Sequence, residues 1–301
     1  MQPILNQISP MALVMGGTNG IGRASAIKLA QHGHDVIIVG RNAIVGAAVV
    51  KEVEKAGRKS YFVQGDVSLM REVQRIAAEI HKITNKINVL LHCTDVAIKK
   101  RVDTAEGIEL CFATNFLSRV LMNDLLLDLL KAGAPSRILH VATPGVDWKI
   151  DAKLVPPPPS MSAIKAHNMG QSSNNLYTVD MAERIKNTGV SINVMGPGWV
   201  DTGFHKKIAE ESYLIKILMS MARFALKMLT TMVYTAEQCA DNVVHVLLSK
   251  ETSEWNGQFI KPNGRELEKI SKSYQDKQRR KDYMDRSQAA IQQALKAAMP
   301  G

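Results

Sequence analysis

The chain has 301 residues, 46% of them hydrophobic, and a net charge of +10 at pH 7, which fits one large globular domain or a domain with an appendage. Its three cysteines lie far apart without metal-ligand spacing, which excludes a disulfide framework and indicates a reducing, intracellular compartment. Because no base- or RNA-recognition motif accompanies the positive charge, nucleic acid is not an expected partner.

Residues Met1–Pro10 contain neither an apolar signal core nor an arginine-rich leader, so no removable targeting segment is predicted. Short apolar runs then alternate with segments of helical periodicity. This alternation predicts an α/β fold, a Rossmann-type doubly wound parallel sheet with a C-terminal helical extension. The predicted strands are Met11–Met15, Asp35–Gly40, Ser60–Gln64, Ile87–His92, Ser136–Thr143, Val190–Met195 and Gln258–Lys261. The predicted helices are Arg23–Ala30, Ile44–Ala56, Val73–Ile83, Glu109–Leu130 and Gln171–Thr188.

The first predicted strand ends in a glycine-rich turn, Gly16-x-x-x-Gly20-Ile21-Gly22, which opens the first helix. Backbone N–H groups and the helix dipole at such a turn attract a phosphate, and missing Cβ atoms let it approach. The second strand ends in Gly40-Arg41, where an acidic residue would bind a ribose diol. Since Arg41 pairs with a 2′-phosphate instead, the sequence favours NADP(H) over NAD(H).

The Gly-x-x-x-Gly-x-Gly spacing resembles that of the short-chain dehydrogenase/reductase family. Segments Thr104–Arg119 and Ala134–Val141 are similar to the retinol-dehydrogenase-like branch of that family, and the matches run from about residue 11 to about residue 205. The resemblance implies a dinucleotide site with an acidic residue after the third strand and a Pro-Gly loop after the sixth. The implied cofactor-binding residues are Gly16, Gly20, Ile21, Gly22, Arg41, Asp66, Val67, Pro197, Gly198 and Thr202.

One motif of that site departs from the family, which carries Asn-Asn-Ala-Gly after the fourth strand. This chain reads His92-Cys93-Thr94-Asp95 at the same place. An aspartate adds bulk and negative charge beside the adenosine ribose and the polyanion, so binding of NADP(H) is expected to be weakened or lost. Asp95 and Asp201 are assigned no catalytic role.

The resemblance also implies four positions for the chemistry: an asparagine, a serine, a tyrosine and, four residues later, a lysine that lowers the pKa of the tyrosine. These positions fall on Asn115, Thr143, His167 and Gln171, and the asparagine alone is retained. Thr143 keeps a hydroxyl. His167 is shorter than tyrosine, and Gln171 removes the positive charge.

A second register stays open, in which Met161-Ser-Ala-Ile-Lys165-Ala takes the place of the motif and restores the lysine but not the tyrosine. In either register, no tyrosine stands four residues before a lysine between Thr143 and Gly189. The chain has no His-x-x-x-His pair and no Gly-x-Ser-x-Gly elbow, so neither a metal site nor hydrolase chemistry is expected.

Two later segments are specialised. The apolar segment, residues 203–234, fits a lid over a substrate, a membrane-surface contact or a contact with a protein partner, and its three charges between Tyr213 and Tyr234 count against a membrane-spanning helix. The basic tail, residues 263–301, is predicted to be helical, with Lys277–Lys281 solvated and an apolar stripe on a partner or on the domain, residues 1–262.

Two hypotheses for function follow. The first is a catalytically inactive family member that serves as a structural subunit, scaffold or NADP(H) sensor. The second is a weakly active NADP(H)-dependent oxidoreductase on a lipophilic, retinol- or steroid-like alcohol or carbonyl, with His167 as the proton donor. The combined loss of tyrosine and lysine at His167 and Gln171 favours the first. The resemblance further implies a homodimer through Glu109–Leu130 and Gln171–Thr188.

Overall fold

The computed structural model describes residues 9–144, 150–200 and 233–297, and its main feature is an eight-stranded sheet. The strands are β1 (Met11–Met15), β2 (Asp35–Gly40), β3 (Ser60–Gln64), β4 (Val89–His92), β5 (Ser136–Val141), β6 (Val190–Met195), β7 (Trp199–Val200), β8 (Val233–Tyr234), β9 (Phe259–Ile260) and β10 (Leu267–Glu268). The main sheet has the order β10-β9-β6-β5-β4-β1-β2-β3, while β7 and β8 pair separately. The predicted α/β fold is therefore confirmed.

All neighbouring strands of the main sheet are parallel except β9 and β10. β1 lies between β2 and β4, so the chain reverses its direction of winding across the sheet at β1. A crevice forms beyond the carboxyl ends of parallel strands at such a point. The fold thus places the ends of β1 and β4 side by side at the expected ligand position.

Helices cover both faces of the sheet. The helices are α1 (Gly20–Gln31), α2 (Ala43–Glu54), α3 (Met70–Ile83), α4 (Leu110–Phe112), α5 (Ser118–Leu125), α6 (Leu127–Ala132), α7 (Ala163–Arg184), α8 (Ala236–Leu248), α9 (Lys272–Gln275) and α10 (Lys277–Lys296). α1, α2 and α8 contribute to one apolar core, which contains Leu29, Val49 and Val243. α3, α5, α7 and α10 contribute to the other, which contains Ile76 and Leu176. Because both faces are covered, the central strands are continuous runs of buried Val, Ile and Leu.

Two predicted helices differ from the structure. The segment 109–130 is not one helix, since α4 leads into a π-helical turn, Ala113–Leu117, before α5, and Leu126 separates α5 from α6. α7 begins at Ala163 rather than at Gln171, because the side chain of Ser162 caps it by accepting a hydrogen bond from the N–H of Lys165. The earlier start places residue 167 inside the helix.

The basic tail packs on the rest of the molecule. β10 extends the main sheet, and α10 buries an apolar stripe that includes Tyr283 and Ile291 in the same core as α7. The Tyr283 hydroxyl lies 2.6 Å from the hydroxyl of Ser173 on α7. Arg280, which the sequence places on a solvated face, is buried because it forms an ion pair of 2.8 Å with Glu183. The sequence predicted that the apolar stripe packs either on a partner or on the domain, and in the structure it packs on the domain.

This packing bears on the expected homodimer. The ring of Tyr283 lies 6.1 Å from that of Phe116, in the π-helical turn, and Gln288 donates a hydrogen bond of 2.7 Å to Asp124 on α5. α10 therefore covers parts of the 109–130 and 171–188 segments. A second copy of the chain cannot use those parts while α10 is in place.

The apolar segment, residues 203–234, lies outside the described residues except for Val233–Tyr234, which pairs with Trp199–Val200. Within the ranges that the structure describes, every helix is too short or too polar to cross a bilayer.

Candidate functional site

A cleft of about 740 Å³ opens where β1 and β4 end, a size typical of small-molecule sites. Asn115 lies behind the cleft, and Thr202 lies outside the described residues. The predicted site residues that line the cleft are Gly16, Gly20, Ile21, Gly22, Arg41, Asp66, Val67, Thr143, His167, Gln171, Pro197 and Gly198. We call the part around the glycine turn and Arg41 the glycine end, and the part around His167 and Gln171 the α7 end.

The glycine end is shaped as a phosphate cradle. Gly16 has φ +78° and lies so close to the main chain at Thr94 that a Cβ would meet its nitrogen at 2.9 Å. A Cβ at Gly22 would clash with the carbonyl oxygen of Gly16. α1 starts here with no acidic residue in its first turn, and Asn19 caps Gly20 with a hydrogen bond of 2.8 Å. Free N–H groups of a helix start, with no competing carboxylate, attract an anion.

The end of β2 has the shape expected for a phosphorylated ribose. Gly40 lies close to Thr18, since a Cβ at this position would lie 2.5 Å from Cγ2 of that side chain, which would have to shift. Arg41 is exposed, and its carbonyl accepts a hydrogen bond of 3.0 Å from Gln64. Its guanidinium is therefore available to an anion in the cleft. The residues at the glycine end thus fit the adenosine and phosphate groups of NADP(H).

At the α7 end, His167 is anchored through one ring nitrogen. Nδ1 lies 3.0 Å from the carbonyl oxygen of Val96, 3.1 Å from the side-chain nitrogen of Asn115 and 3.7 Å from Oδ1 of Asp95. The carbonyl and the carboxylate favour a proton on Nδ1, and Nε2 then remains for a ligand. Asn115 forms two hydrogen bonds of 2.8 Å with the main chain of Val96, so it fixes the same loop.

Gln171 bridges two elements of the cleft. Its nitrogen donates a hydrogen bond of 3.2 Å to Oδ1 of Asp95, and its oxygen accepts one of 3.1 Å from the N–H of Thr143. The Asp95 side chain is 37% exposed and lines the cleft. Desolvation raises the pKa of the Asp95 carboxyl above its ordinary value, and the nearby charges of His167 and Arg119 oppose that rise. The three departures from the family thus meet at the Asp95 carboxylate, which accepts a hydrogen bond from Gln171 and lies 3.7 Å from Nδ1 of His167.

This arrangement differs from one expectation of the sequence. Asp95 is expected beside the adenosine ribose, but its side chain contacts Gln171 and lies near His167 instead. The negative charge therefore lies at the α7 end of the cleft, because α7 offers the hydrogen-bond donor that the carboxylate needs.

The two registers for the tyrosine and lysine place different residues in the cleft. His167 and Gln171 line it, whereas Lys165 is exposed and is not among the lining residues. Within the part of the chain that the structure describes, no tyrosine or lysine lines the cleft. The glycine end of the cleft can hold an anionic ligand. The described residues that line the α7 end, however, provide no phenol activated by an ammonium group.

A buried polar cluster lies behind the α7 end. Arg119 on α5 is fully buried and donates hydrogen bonds to the carbonyl oxygens of Thr94 (2.6 Å) and Val141 (3.1 Å). Burial lowers its pKa to about 10, against the opposing effect of Asp95. Next to it, Asn123 connects the imidazoles of His92 (2.8 Å) and His140 (3.2 Å). Burial lowers the pKa of His92 to about 3 and that of His140 well below its ordinary value.

Sequence reasoning missed Arg119 and the role of Asp95. Arg119 follows Asn115 by four residues on a helical segment, a spacing that places both on one side of a helix. Because Asn115 faces inward, this spacing could have predicted that Arg119 is buried on the same side of the helix. No sequence pattern predicts the contact between Asp95 and Gln171, because the two residues are distant in sequence. Within the described ranges, no cluster of His, Cys, Asp or Glu is placed to hold a metal ion.

Known proteins resemble this chain. The family profile described as short chain dehydrogenase matches residues 10–146. Retinol dehydrogenase 13 of Mus musculus is 26% identical over 201 residues, which are 62% of this chain and 57% of that protein. Polyprenol dehydrogenase of Homo sapiens is 25% identical over 276 residues, 89% of this chain and 81% of that protein. The chain spans less than two thirds of the length of the first curated relatives that it matches.

Solved structures share the fold. A short chain dehydrogenase from Burkholderia cenocepacia, in complex with NADP, has a TM-score of 0.65 at 22% identity and covers 85% of this chain and 96% of that one. A short-chain dehydrogenase/reductase mutant from Serratia marcescens has a TM-score of 0.66 at 18% identity, with 85% and 98% covered. At these identities the likeness concerns the architecture alone.

Proposed function

We propose that this chain, which is similar to short-chain dehydrogenases over residues 10–146 and to retinol dehydrogenases, is a catalytically silent member of the retinol-dehydrogenase-like branch of the short-chain dehydrogenase/reductase family that binds NADP(H) and serves as a sensor or scaffold. The observation that carries the proposal is the contact among Asp95, His167 and Gln171. At the positions where the family has a tyrosine and a lysine, His167 lies 3.7 Å from the Asp95 carboxylate and Gln171 donates a hydrogen bond to it.

The proposed lack of catalytic activity follows from the charges and the geometry at the α7 end. Reduction of a carbonyl needs a proton donor beside the substrate oxygen, and a nearby ammonium makes a phenol a better donor. Gln171 carries no charge, and its amide is engaged by Asp95 and by the N–H of Thr143. The charged group that lies 3.7 Å from Nδ1 of His167 is the carboxylate of Asp95, where the family has an ammonium group beside its proton donor.

Retention of the cofactor is supported by the glycine end. The cradle of Gly16 and Gly22, the start of α1 and the side chain of Arg41 would hold the phosphates. The nicotinamide group, when bound, supplies a hydride to a carbonyl. Asp95 is the residue that opposes binding, so the proposed affinity is weaker than an intact family site would give.

A sensor or scaffold requires a partner. The apolar segment 203–234 and the exposed face of the basic tail are the surfaces that we propose for it, as a protein contact or, for the apolar segment, as a membrane-surface contact. On α10 the exposed residues include Lys277, Lys281 and Arg286, while the apolar stripe is buried on the domain. The tail would therefore bind a partner through its charged face.

The experiment measures binding and turnover on the full chain. Calorimetric titration with NADPH and with 2′,5′-ADP, which carries the phosphates without the nicotinamide, is expected to show binding of both. NADPH consumption with retinal, a steroid ketone and a long-chain aldehyde is expected to equal the protein-free rate. Turnover that His167→Ala removes, and that the matched change His245→Ala on α8 preserves, contradicts the proposal.

A second candidate is a weakly active NADP(H)-dependent oxidoreductase on a lipophilic alcohol or carbonyl. The anchoring of His167 through Nδ1 favours it, because the held ring leaves Nε2 for the substrate, and the cationic form of the imidazole carries a proton on that nitrogen that it can donate. Thr143 would polarise the substrate oxygen through its hydroxyl. The same assay distinguishes the two candidates, since this one requires turnover that depends on His167.

A further inference from the structure

We infer that Asp95 makes the cleft discriminate between the oxidation states of its dinucleotide, so that the protein binds NADP+ more tightly than NADPH. The inference deepens the proposed function and rests on it. It assigns Asp95 a role in specificity, and it names the oxidised, cationic form of the cofactor as the preferred ligand.

The phosphate-binding features at the glycine end set the orientation of a bound dinucleotide. The features that attract phosphate are the start of α1 and Arg41, and both lie at the glycine end. A dinucleotide whose phosphates are held there extends its second nucleoside along the remainder of the cleft. That remainder is the α7 end, which Asp95, His167 and Gln171 line. The nicotinamide half therefore lies on the side of Asp95.

Ionisable side chains line both ends of the cleft. In the described part of the cleft, Arg41, Asp66, Asp95 and His167 are the lining residues with ionisable acidic or basic side chains apart from the Cys93 thiol, and Arg41 and Asp66 belong to the glycine end. Burial raises the pKa of Cys93, so its thiol stays neutral. The carboxylate of Asp95 is thus the negative group at the α7 end.

The groups that surround Asp95 do not neutralise its carboxylate on the side that faces the cleft. Arg119 carries the opposite charge, but it is fully buried behind the main chain, where Nη1 and Nη2 donate hydrogen bonds to the carbonyl oxygens of Val141 and Thr94. On α4, burial raises the pKa of Cys111 to about 12, so this thiol is neutral. From α7, Gln171 donates to the carboxylate without adding charge. Since the Asp95 side chain is 37% exposed, solvent or a ligand in the cleft meets the carboxylate directly.

The carboxylate of Asp95 acts on a bound dinucleotide in two ways, by repelling its phosphates and by attracting a cationic nicotinamide ring. Repulsion between Asp95 and the phosphates acts equally on the two oxidation states, because they have the same phosphates. The nicotinamide ring is a cation when oxidised and neutral when reduced, so attraction to Asp95 acts on one form alone. A unit charge at short range in a partly solvated site changes a binding constant by about tenfold or more. We expect this preference for NADP+.

The experiment titrates the full chain with NADP+, NADPH and 2′,5′-ADP by calorimetry at about pH 8.5, because an alkaline pH favours the carboxylate form of a group whose pKa is raised. The wild-type protein is expected to bind NADP+ about tenfold more tightly than NADPH. Asp95→Asn keeps an oxygen that accepts the hydrogen bond from Gln171 and removes the charge. It is expected to bring the ratio of the two affinities close to one.

Asp66→Asn is the matched control, because it removes the same charge from the same cleft at the glycine end. We expect it to change the affinities for NADP+ and NADPH by equal factors and to keep their ratio. A wild-type ratio of one, a preference for NADPH, or a ratio that Asp95→Asn leaves unchanged overturns the inference while the proposed function stands. Absence of binding for all three ligands overturns the proposed function, and the inference with it.

Discussion

The two ends of the cleft differ in what holds them together. At the glycine end the working groups belong to the main chain, namely the turn between Gly16 and Gly22 and the first N–H groups of α1, with Arg41 added at the rim. At the α7 end the working groups are side chains, and Asp95, His167 and Gln171 form their own set of contacts. A site made by the main chain remains as long as the fold does, whereas a site made by side chains can change without any change of fold.

The largest expected effect comes from restoring the family residues at the α7 end. The triple variant Asp95→Gly, His167→Tyr and Gln171→Lys rebuilds the proton donor and its ammonium group. We expect NADPH-dependent reduction of a carbonyl to rise about 10²–10⁴-fold above the wild-type rate, the usual contribution of general acid catalysis. The measurement is NADPH consumption with the aldehyde and ketone panel.

The control for this gain is the double variant His167→Tyr and Gln171→Lys, which retains Asp95. The introduced ammonium then pairs with the Asp95 carboxylate, so we expect a smaller gain than in the triple variant. Equal rates in the wild type and the triple variant would show that the α7 end is not what limits turnover.

The second prediction removes the backbone site. Gly22→Ala places a Cβ against the carbonyl of Gly16, which forces the turn apart. Loss of one or two hydrogen bonds to phosphate, each worth about 1.5–3 kcal/mol, should weaken binding of 2′,5′-ADP roughly 100-fold. Gly57→Ala is the control for a glycine replacement that strains the main chain away from the cleft, because Gly57 has a positive φ, +74°, and nothing lies within 4 Å of its Cβ position. Loss of affinity in both variants would indicate general destabilisation, which thermal unfolding measures directly.

The same contrast explains what the sequence could predict. The strands from β1 to β6 and the glycine turn follow from local patterns, because alternation and glycine spacing are written in neighbouring residues. The predicted residues of the cofactor site that the structure describes also line one cleft, because they follow strands that end at the same edge of the sheet.

The contacts of the α7 end could not be predicted in this way. Asp95 and Gln171 are 76 residues apart in the chain, so their contact depends on how α7 packs beside the end of β4 and is not written in any local pattern. The tail has the same difficulty, since an amphipathic stripe shows that α10 packs but not what it packs on.

The third prediction concerns the buried cluster behind the α7 end. His92 has a folded-state pKa of about 3, below the ordinary value of 6.5 in the unfolded chain. The unfolded state therefore binds the extra proton as the pH falls below 6.5, and stability is lost from there down to about pH 3. At pH 5 the loss from this imidazole is about 2 kcal/mol, and His140 adds a loss of the same sign. Urea unfolding at pH 7 and pH 5 measures it.

A glutamine at this position separates the imidazole from other causes. His92→Gln can keep a hydrogen bond to Asn123 but cannot take up the proton, so the difference in unfolding free energy between pH 7 and pH 5 should shrink by about 2 kcal/mol. His32→Gln changes an exposed histidine on the same protein and should leave the difference as it is. Identical pH dependence in the wild type and His92→Gln would place the acid sensitivity elsewhere.

The smallest expected effect tests the side chain that the glycine end does use. Arg41→Ala removes the cation at the end of β2, where an exposed guanidinium can pair with a 2′-phosphate. We expect affinity for NADP+ to fall about tenfold and affinity for NAD+ to stay the same, because only the first carries that phosphate. Lys51→Ala, an exposed cation on α2 outside the cleft, controls for net charge. An equal loss for the two dinucleotides would mean that Arg41 acts on the pyrophosphate through long-range attraction, and the glycine end would then depend on a side chain as much as the α7 end does.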